Sequence, residues 1–361
     1  MLITGADGYL GRRIAQALVQ QAPVSLMLYV RADDTDEFDA KRRTLENWLT
    51  LDSDSSVSYH WGDLRSPEPF VSVKPDSITH IIHSAAITRL NVEKEDAWAV
   101  NVEGTRRVLT FARRCPNLEA MVYLSSVYGS GLSAGLIEEA PLVNAAGFAN
   151  HYEASKFEAE ALVTGDYDDL PWRIMRTVTV LADDPSGTVS QYNAIHNTLK
   201  LFHYGLLSLM PGHPETPVYM VNGDYVADAV ARLLTRSTHR DIFHCCHNRE
   251  ATLTLSELLD VVYDCFRTDD KFHRANIPKP LFCDMESFNT LVQGVGQFGG
   301  SVVTQAVGSV APFAGQLFVT KDISNERMRA ALADYNAVDP RAVLEATCRQ
   351  LVAQRFGRKA A

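Results

Sequence analysis

Tyr152 and Lys156 stand four positions apart in HYEASKFEAEALV, residues 151–163. On a helix, residues i and i+4 lie one above the other on a single face. An ammonium group placed there lowers a phenol from its ordinary value near 10 towards the working range of a general acid. Upstream, AMVYLSS (120–126) ends in Ser125 and Ser126, whose hydroxyls are suited to holding a carbonyl oxygen. Gly5, Gly8 and Gly11 form G-x-x-G-x-x-G in LITGADGYLG near the start of the chain. Glycine permits a tight turn and close backbone approach, and a helix N-terminus offers free N–H groups and a positive dipole end to a pyrophosphate. Tyr9 and Leu10, between the glycines of this turn, belong to the same dinucleotide-binding set. Together these residues point to hydride transfer between a dinucleotide and a carbonyl.

Such groups need elements that hold them at one edge of a sheet. LIT (2–4), VSLMLYV (24–30), VSYHWGDL (57–64), THIIHSAA (79–86), AMVYLSS and WRIMRTVTVL (172–181) read as strands. GRRIAQALVQQ, KRRTLENWLT, NVEGTRRVLTFARRC and HYEASKFEAEALV read as the helices between them. The alternation predicts an α/β fold with a doubly wound parallel sheet, which binds ligands beyond the carboxyl ends of its strands. The second strand closes at Val30-Arg31, where an acidic residue suits the ribose of NAD and a basic one the 2′-phosphate of NADP. Arg31, with Arg43 a helix away, favours NADP(H), while Asp33 and Asp34 keep NAD(H) as the alternative. After Leu181 the pattern weakens into loops, then returns with DYVADAVARLLTRS as a helix, DIFHCCH as a strand and TLSELLDVVYDCF as a helix capped by Thr254 or Ser256. The expected organisation is a dinucleotide-binding domain over 1–181, with 220–248 returning to it. A smaller, mainly C-terminal α/β substrate-binding domain is expected over 182–219 and 249–361.

Composition narrows the partners. With 361 residues, a net charge of -10, a pI near 5.6 and no Lys/Arg run, the chain presents no nucleic-acid surface. No secretory leader is expected from the first residues, and six cysteines without framework spacing read as reduced thiols in a cytoplasmic protein. In His244-Cys245-Cys246-His247, neighbours on a strand face opposite ways, so no metal site is expected. From Ser287 to Thr320 no residue is charged. Its glycines, glutamines and Pro312 suit it poorly to spanning a membrane, so no integral membrane segment is expected. Two readings of it stand: an irregular buried part of the smaller domain, or an apolar wall or lid over a greasy substrate, with Val302, Val303 and Phe313 among its apolar residues.

Six motifs succeed one another in order: TGADGYLG, GDL (62–64), HSAA (83–86), NVEGT (101–105), YLSSVYG and YEASK. In these the sequence resembles the extended short-chain dehydrogenase/reductases of the NAD(P)-binding Rossmann superfamily. The resemblance implies that Asp63 approaches the adenine, with Leu64 beside it, and that Ala85 and Ala86 line the cofactor groove. It also implies that Asn101 supports the Lys156 region through water, and that Ser126 rather than Ser125 completes a Ser-Tyr-Lys triad. YVRADDTDEFDAKRRTLENWL is similar, more loosely, to the thioester-reductase and fatty-acyl reductase branch. There are departures: TVTVL after Arg176 lacks a proline and glycine, and NGDYVADAV lacks the proline of PVDYVA. The resemblance implies NADPH-dependent reduction of an apolar acyl carbonyl, in a thioester, aldehyde or ketone. The substrate would be a small molecule or an acyl thioester, carried by CoA or a separate acyl carrier protein, and the enzyme a monomer or homodimer. A nucleotide-sugar epimerase or dehydratase is the rival with this fold, although Val127-Tyr128 stands where dehydratases carry an acidic pair. A non-catalytic NADP-binding sensor or scaffold is the rival outside enzymes, although such proteins lose the Tyr or Lys that this chain retains.

Overall fold

The computed structural model describes residues 1–143, 146–236, 240–298, 300, 304, 307, 308, 311–333 and 338–357. Its main sheet has seven strands: β1 (Leu2–Thr4), β2 (Ser25–Val30), β3 (Ser56–Trp61), β4 (His80–His83), β5 (Ala120–Ser126), β7 (Trp172–Thr177) and β11 (Asp241–Cys245). All pair in parallel, in the order β11-β7-β5-β4-β1-β2-β3. The helices that bear on the sheet are α1 (Tyr9–Gln21), α2 (Thr35–Trp48), α3 (Lys94–Ala97), α4 (Glu103–Arg113), α5 (His151–Ala161) and α7 (Gly223–Leu234).

Alternation along the strands builds two cores. Leu2, Ile81, Met121, Tyr123, Ile174 and Ile242 point to the side where Val108 and Leu109 of α4 and Ala159 of α5 pack. Their neighbours Ile3, Ile82, Val122, Met175 and Phe243 point to the other side, against Ile14 of α1 and Val230 of α7. Apolar residues in both registers suit a strand buried on both faces. The strand order reverses between β1 and β4, which opens a crevice beyond Thr4 and His83.

Three elements differ from the sequence reading. Residues 172–181 are two strands, because β7 ends level with Ser126 of β5 and Cys245 of β11. Past Val178 the chain finds no partner in the main sheet, and β8 (Thr179–Ala182) instead pairs with β10 (Met220–Asn222). The helix expected at 101–115 starts earlier, as α3, and reaches α4 through a π-helical turn at Trp98–Val102 that contains Asn101. The helix read at 41–50 is α2, which starts at Thr35 because the Asp34 side chain caps it at the Glu37 N–H.

A third core joins Leu181, Met220, Phe202 of α6 (Ala194–His203) and Leu259 and Phe266 of α8 (Leu255–Phe266). Leu344 and Leu351, on the helix Pro340–Ala353, complete it. Two short parallel pairs bring the later chain back to the earlier part: β12 (Leu281–Cys283) on β9 (Leu209–Pro211), and β13 (Lys321–Ile323) on β6 (Gly135–Ile137). Of the uncharged stretch 287–320, Ser287–Phe298 belong to the helix Met285–Phe298 and Ala311–Phe318 form a 3-10 helix. Val302 and Val303, expected in an apolar wall or lid, lie outside the described residues. Among the described residues no helix is long and apolar enough to cross a membrane.

Beneath the carboxyl end of β5 lies a fully buried ion pair. The Arg176 guanidinium on β7 binds both carboxylate oxygens of Glu160 on α5, with contacts of 2.8 to 3.1 Å. Ser125 donates to the same carboxylate, and Arg176 also donates to the carbonyls of Glu138 and Ala140 and bonds His244 Nε2 at 2.9 Å. Ser125 is thus committed to Glu160, while Ser126 on the other face of β5 is not. His244 bonds the Ser324 carbonyl through Nδ1 at 2.6 Å, so the imidazole of the His-Cys-Cys-His run belongs to this network. Removing one partner of a buried pair leaves an uncompensated charge, so Glu160→Leu is expected to cost about 3–5 kcal/mol. Urea unfolding at pH 7.5 measures it; a loss below about 1 kcal/mol, the range of an exposed pair, would show that this pair does not brace α5.

Candidate active site

The glycine turn joins β1 to α1 at the crevice. Gly5 has φ +65°, and a Cβ there would lie 2.7 Å from the Cα of Ala85. A Cβ on Gly11 would lie 2.2 Å from the Gly5 carbonyl oxygen. Gly8 donates to the Gly5 carbonyl at 3.0 Å and is the N-cap of α1, with no side-chain cap. The first N–H groups of α1 therefore face the crevice, which is the donor set a pyrophosphate requires. Ala85 and Ala86, both half-buried, follow β4, and Ala85 faces Gly5. Leu10 packs into the α1–α7 core. Tyr9 turns its hydroxyl away to Asp183, at 2.9 Å, and to the Ala182 carbonyl at 3.2 Å, so its side chain ties α1 to the end of β8.

At the end of β2 the charges are mixed. Arg31, half-exposed, holds Asp33 at 2.7 and 2.9 Å and reaches Asp63 at 3.4 Å. Arg65 also grips Asp63, whose carboxyl is held down at about 2 chiefly by that bond. Leu64 is buried, and its carbonyl accepts from Arg107 at 2.9 Å. Arg43 is exposed on α2. Lys41 bonds the Arg31 carbonyl and lies 3.3 Å from Asp7 of the glycine turn. The sequence pattern hides this lysine when the helix is read from Lys41 onward. A start at Thr35 puts Lys41 one turn after Glu37, with which it pairs at 2.9 Å.

A directional hydrogen-bond chain runs under the crevice. Thr105 Oγ1 donates to the Asn101 carbonyl at 2.6 Å and so must accept from His83 Nε2 at 2.9 Å. A neutral imidazole carries one N–H, so His83 Nδ1 accepts from the Thr4 hydroxyl at 2.8 Å. Burial, and then the charge of Lys156, hold His83 at about 3 and keep it neutral. The Asn101 side chain continues the chain: it donates to Ser155 Oγ at 2.9 Å and to the Ile87 carbonyl at 3.0 Å, and accepts from the Ile87 N–H at 2.8 Å. Asn101 thus bonds Ser155, the neighbour of Lys156.

Ser126, Tyr152 and Lys156 converge at the carboxyl end of β5. Ser126 Oγ accepts from the Tyr128 N–H at 3.3 Å and donates to the Thr177 carbonyl at 3.4 Å. Burial pushes the Tyr152 phenol up to about 12, and a hydrogen bond with the Ser126 hydroxyl offsets part of the rise. The expected lowering by Lys156 is not seen. The Lys156 ammonium is buried, bonds the Leu124 carbonyl at 2.7 Å and sits 4.4 Å over the Tyr123 ring. Burial lowers Lys156 to about 7, with Glu160 opposing the shift.

An NAD-binding family model, described as Male sterility protein, matches residues 3–230. The chain belongs to this family. Its architecture is that of the extended short-chain dehydrogenase/reductases, whose members are nicotinamide-dependent oxidoreductases. The chain is 24% identical over 316 residues to a putative fatty acyl-CoA reductase of Drosophila melanogaster, covering 73% of this chain and 58% of that one. It is 29% identical over 167 residues to an NRPS-like oxidoreductase of Fusarium equiseti, covering 45% of this chain and 15% of that one. The chain therefore spans less than two thirds of these relatives. In fold it is similar to the terminal R domain from the myxalamid PKS-NRPS biosynthetic pathway, with a TM-score of 0.79, 20% identity and coverage of 98% and 91%. A thiolation-reductase di-domain from an archaeal non-ribosomal peptide synthetase is also similar, with a TM-score of 0.75, 20% identity and coverage of 99% and 76%.

The cradle and the imidazole each yield a measurable expectation. Gly5→Ala is strained by about 1–3 kcal/mol at its positive φ and displaces Ala85 as well, so cofactor affinity falls while the far-ultraviolet circular dichroism is kept. Unchanged affinity by cofactor fluorescence would show that the turn does not form the cradle. His83 is depressed from an unfolded value near 6.5 to about 3, so its contribution to stability is complete above the unfolded value and is lost as pH falls through that window. Each pH unit of descent costs about 1.4 kcal/mol for a histidine kept neutral. His83→Gln should flatten urea-derived stability between pH 6 and 4; equal slopes in the two proteins would refute this.

Proposed function

We propose that the chain reduces the carbonyl of an apolar acyl thioester with NADPH, using Ser126, Tyr152 and Lys156. The observation that carries this reading is the meeting of the Ser126 and Tyr152 hydroxyls at the carboxyl end of β5, beside the crevice formed by Gly5 and Ala85. The fatty acyl-CoA reductase and NRPS-like oxidoreductase relatives support the substrate class.

The glycine turn, the first N–H groups of α1, and Ala85 and Ala86 would hold the cofactor, with Asp63 and Leu64 towards the adenine. Bound there, the nicotinamide would supply the hydride that the carbonyl carbon accepts. Ser126 Oγ orients the carbonyl oxygen. Tyr152 gives that oxygen its proton, and an acid whose own value is near 12 gives it up only to a strongly basic oxygen, as an alkoxide is. Lys156, anchored on the Leu124 carbonyl, would hold the ribose side of the site. The hemithioacetal so formed breaks its C–S bond, and its hydroxyl proton leaves with the thiol, which gives an aldehyde. Arg31, with Lys41 beside it, favours a 2′-phosphate. The thiol would be CoA or the arm of a separate acyl carrier protein. We further propose that residues 182–219 and 249–361 form the substrate-binding domain, with Phe313 as part of its apolar wall. Its ring meets that of Tyr128 edge-on at 5.1 Å.

NADPH oxidation against a panel of acyl thioesters, aldehydes, ketones and nucleotide sugars tests the class. Tyr152→Phe should lower turnover about 10²- to 10⁴-fold and leave NADPH affinity nearly intact. Retained turnover would reject the triad. Arg31→Ala should weaken NADPH about 10- to 100-fold and NADH far less. Equal losses for both cofactors would reject the 2′-phosphate role.

A further inference from the structure

Lys321 is 5% exposed and Glu153 is 0% exposed, and the triad uses neither. Ionised side chains are rarely buried without a compensating partner. Lys321 comes from β13, almost two hundred positions after Ser126, yet its ammonium donates to Ser130 Oγ at 2.9 Å and to the Gly131 carbonyl. Ser130 Oγ in turn donates to the Val127 carbonyl at 2.7 Å, in the residue next to Ser126. Gln316 Nε2 adds a second donor to the Gly131 carbonyl at 3.1 Å.

The other half of the cluster holds the first turn of α5. The Glu153 carboxylate accepts from the Ala149 N–H at 2.9 Å and from Asn150 Nδ2 at 3.1 Å. Gln316 also bonds it, and the charge of Lys321 acts on it across the cluster. Asn150 caps the Glu153 N–H at 3.0 Å and reaches the Pro312 carbonyl at 3.2 Å. Tyr152 therefore stands between two residues whose positions depend on this cluster.

We propose that Lys321 is a positioning residue for the Ser126–Tyr152 pair, acting through Ser130 on the turn after Ser126 and with Glu153 on the first turn of α5. The proposal rests on the reductase reading above. It makes residues 311–323 part of the catalytic centre, although the chain reaches them long after the triad. A leucine would fill the same place without a desolvation penalty, so the ammonium is explained by the oxygens it holds.

The test compares wild type, Lys321→Met and Ser130→Ala in the full chain. Ser130→Ala removes the link from Lys321 to Val127 while the ammonium keeps the Gly131 carbonyl, so it keeps the test decisive if Lys321→Met does not fold. Misplaced reacting groups cost up to about 10²-fold, so kcat on a thioester accepted by wild type should fall at least about tenfold in Lys321→Met and several-fold in Ser130→Ala. KM and NADPH affinity should stay within about twofold, since no contact to either is removed. Hydrogen exchange reads the positioning without substrate: amides of 127–131 and 149–153 should exchange faster while those of β2 do not. Unchanged exchange in both segments, or unchanged kcat, overturns the proposal. A wild type that turns over no thioester, while exchange in the variants changes as expected, rejects the reductase reading and leaves the placement by Lys321 standing.

Discussion

The hydrogen-bond chain under the crevice depends on an imidazole that stays neutral. His83 accepts from Thr4 and donates to Thr105, and that order is available only to one tautomer of an unprotonated ring. Thr4 is the last residue of β1 and immediately precedes Gly5, so one end of the hydrogen-bond chain reaches the glycine turn. Asn101 and Ser155 form the other end, next to Lys156. A proton on His83 would make both nitrogens donors and reverse the bond to the Thr4 hydroxyl. The nearby Lys156 charge and complete burial guard against this.

The surrounding charges are divided by depth. At the rim, Arg31, Lys41 and Arg65 share Asp7, Asp33, Glu37 and Asp63, with solvent available to screen them. Inside, Glu160–Arg176 braces α5 against β7, and there the low dielectric makes geometry matter more. The rim is suited to meeting a charged cofactor and the interior to holding α5 still. The small β6–β13 pair adds a third attachment from the later part of the chain.

Much of this is legible from residue order. Apolar residues in LIT, THIIHSAA and AMVYLSS mark strands buried on both faces, and the glycine spacing identifies the turn at the switch point. Less legible are features set by neighbours in space. The break at Val178 follows from where β5 and β11 end, which no local pattern in WRIMRTVTVL reveals. The π turn around Asn101 looks like ordinary helix in sequence. The weak signal for Lys321 is its place as the first charge after thirty-four uncharged positions.

Residue order alone determines the parallel α/β alternation of the first half, the glycine turn and the residue types at the carboxyl end of β5. It can do so because periodicity, turn chemistry and helical i, i+4 spacing act over a few residues. How the ionisable groups behave is set only once the chain has folded. Lys156 faces the Leu124 carbonyl and the Tyr123 ring, so burial rather than the ammonium sets the Tyr152 phenol. Burial and Coulombic partners come from segments as distant as β13, and their strength depends on depth in the folded chain rather than on spacing along it.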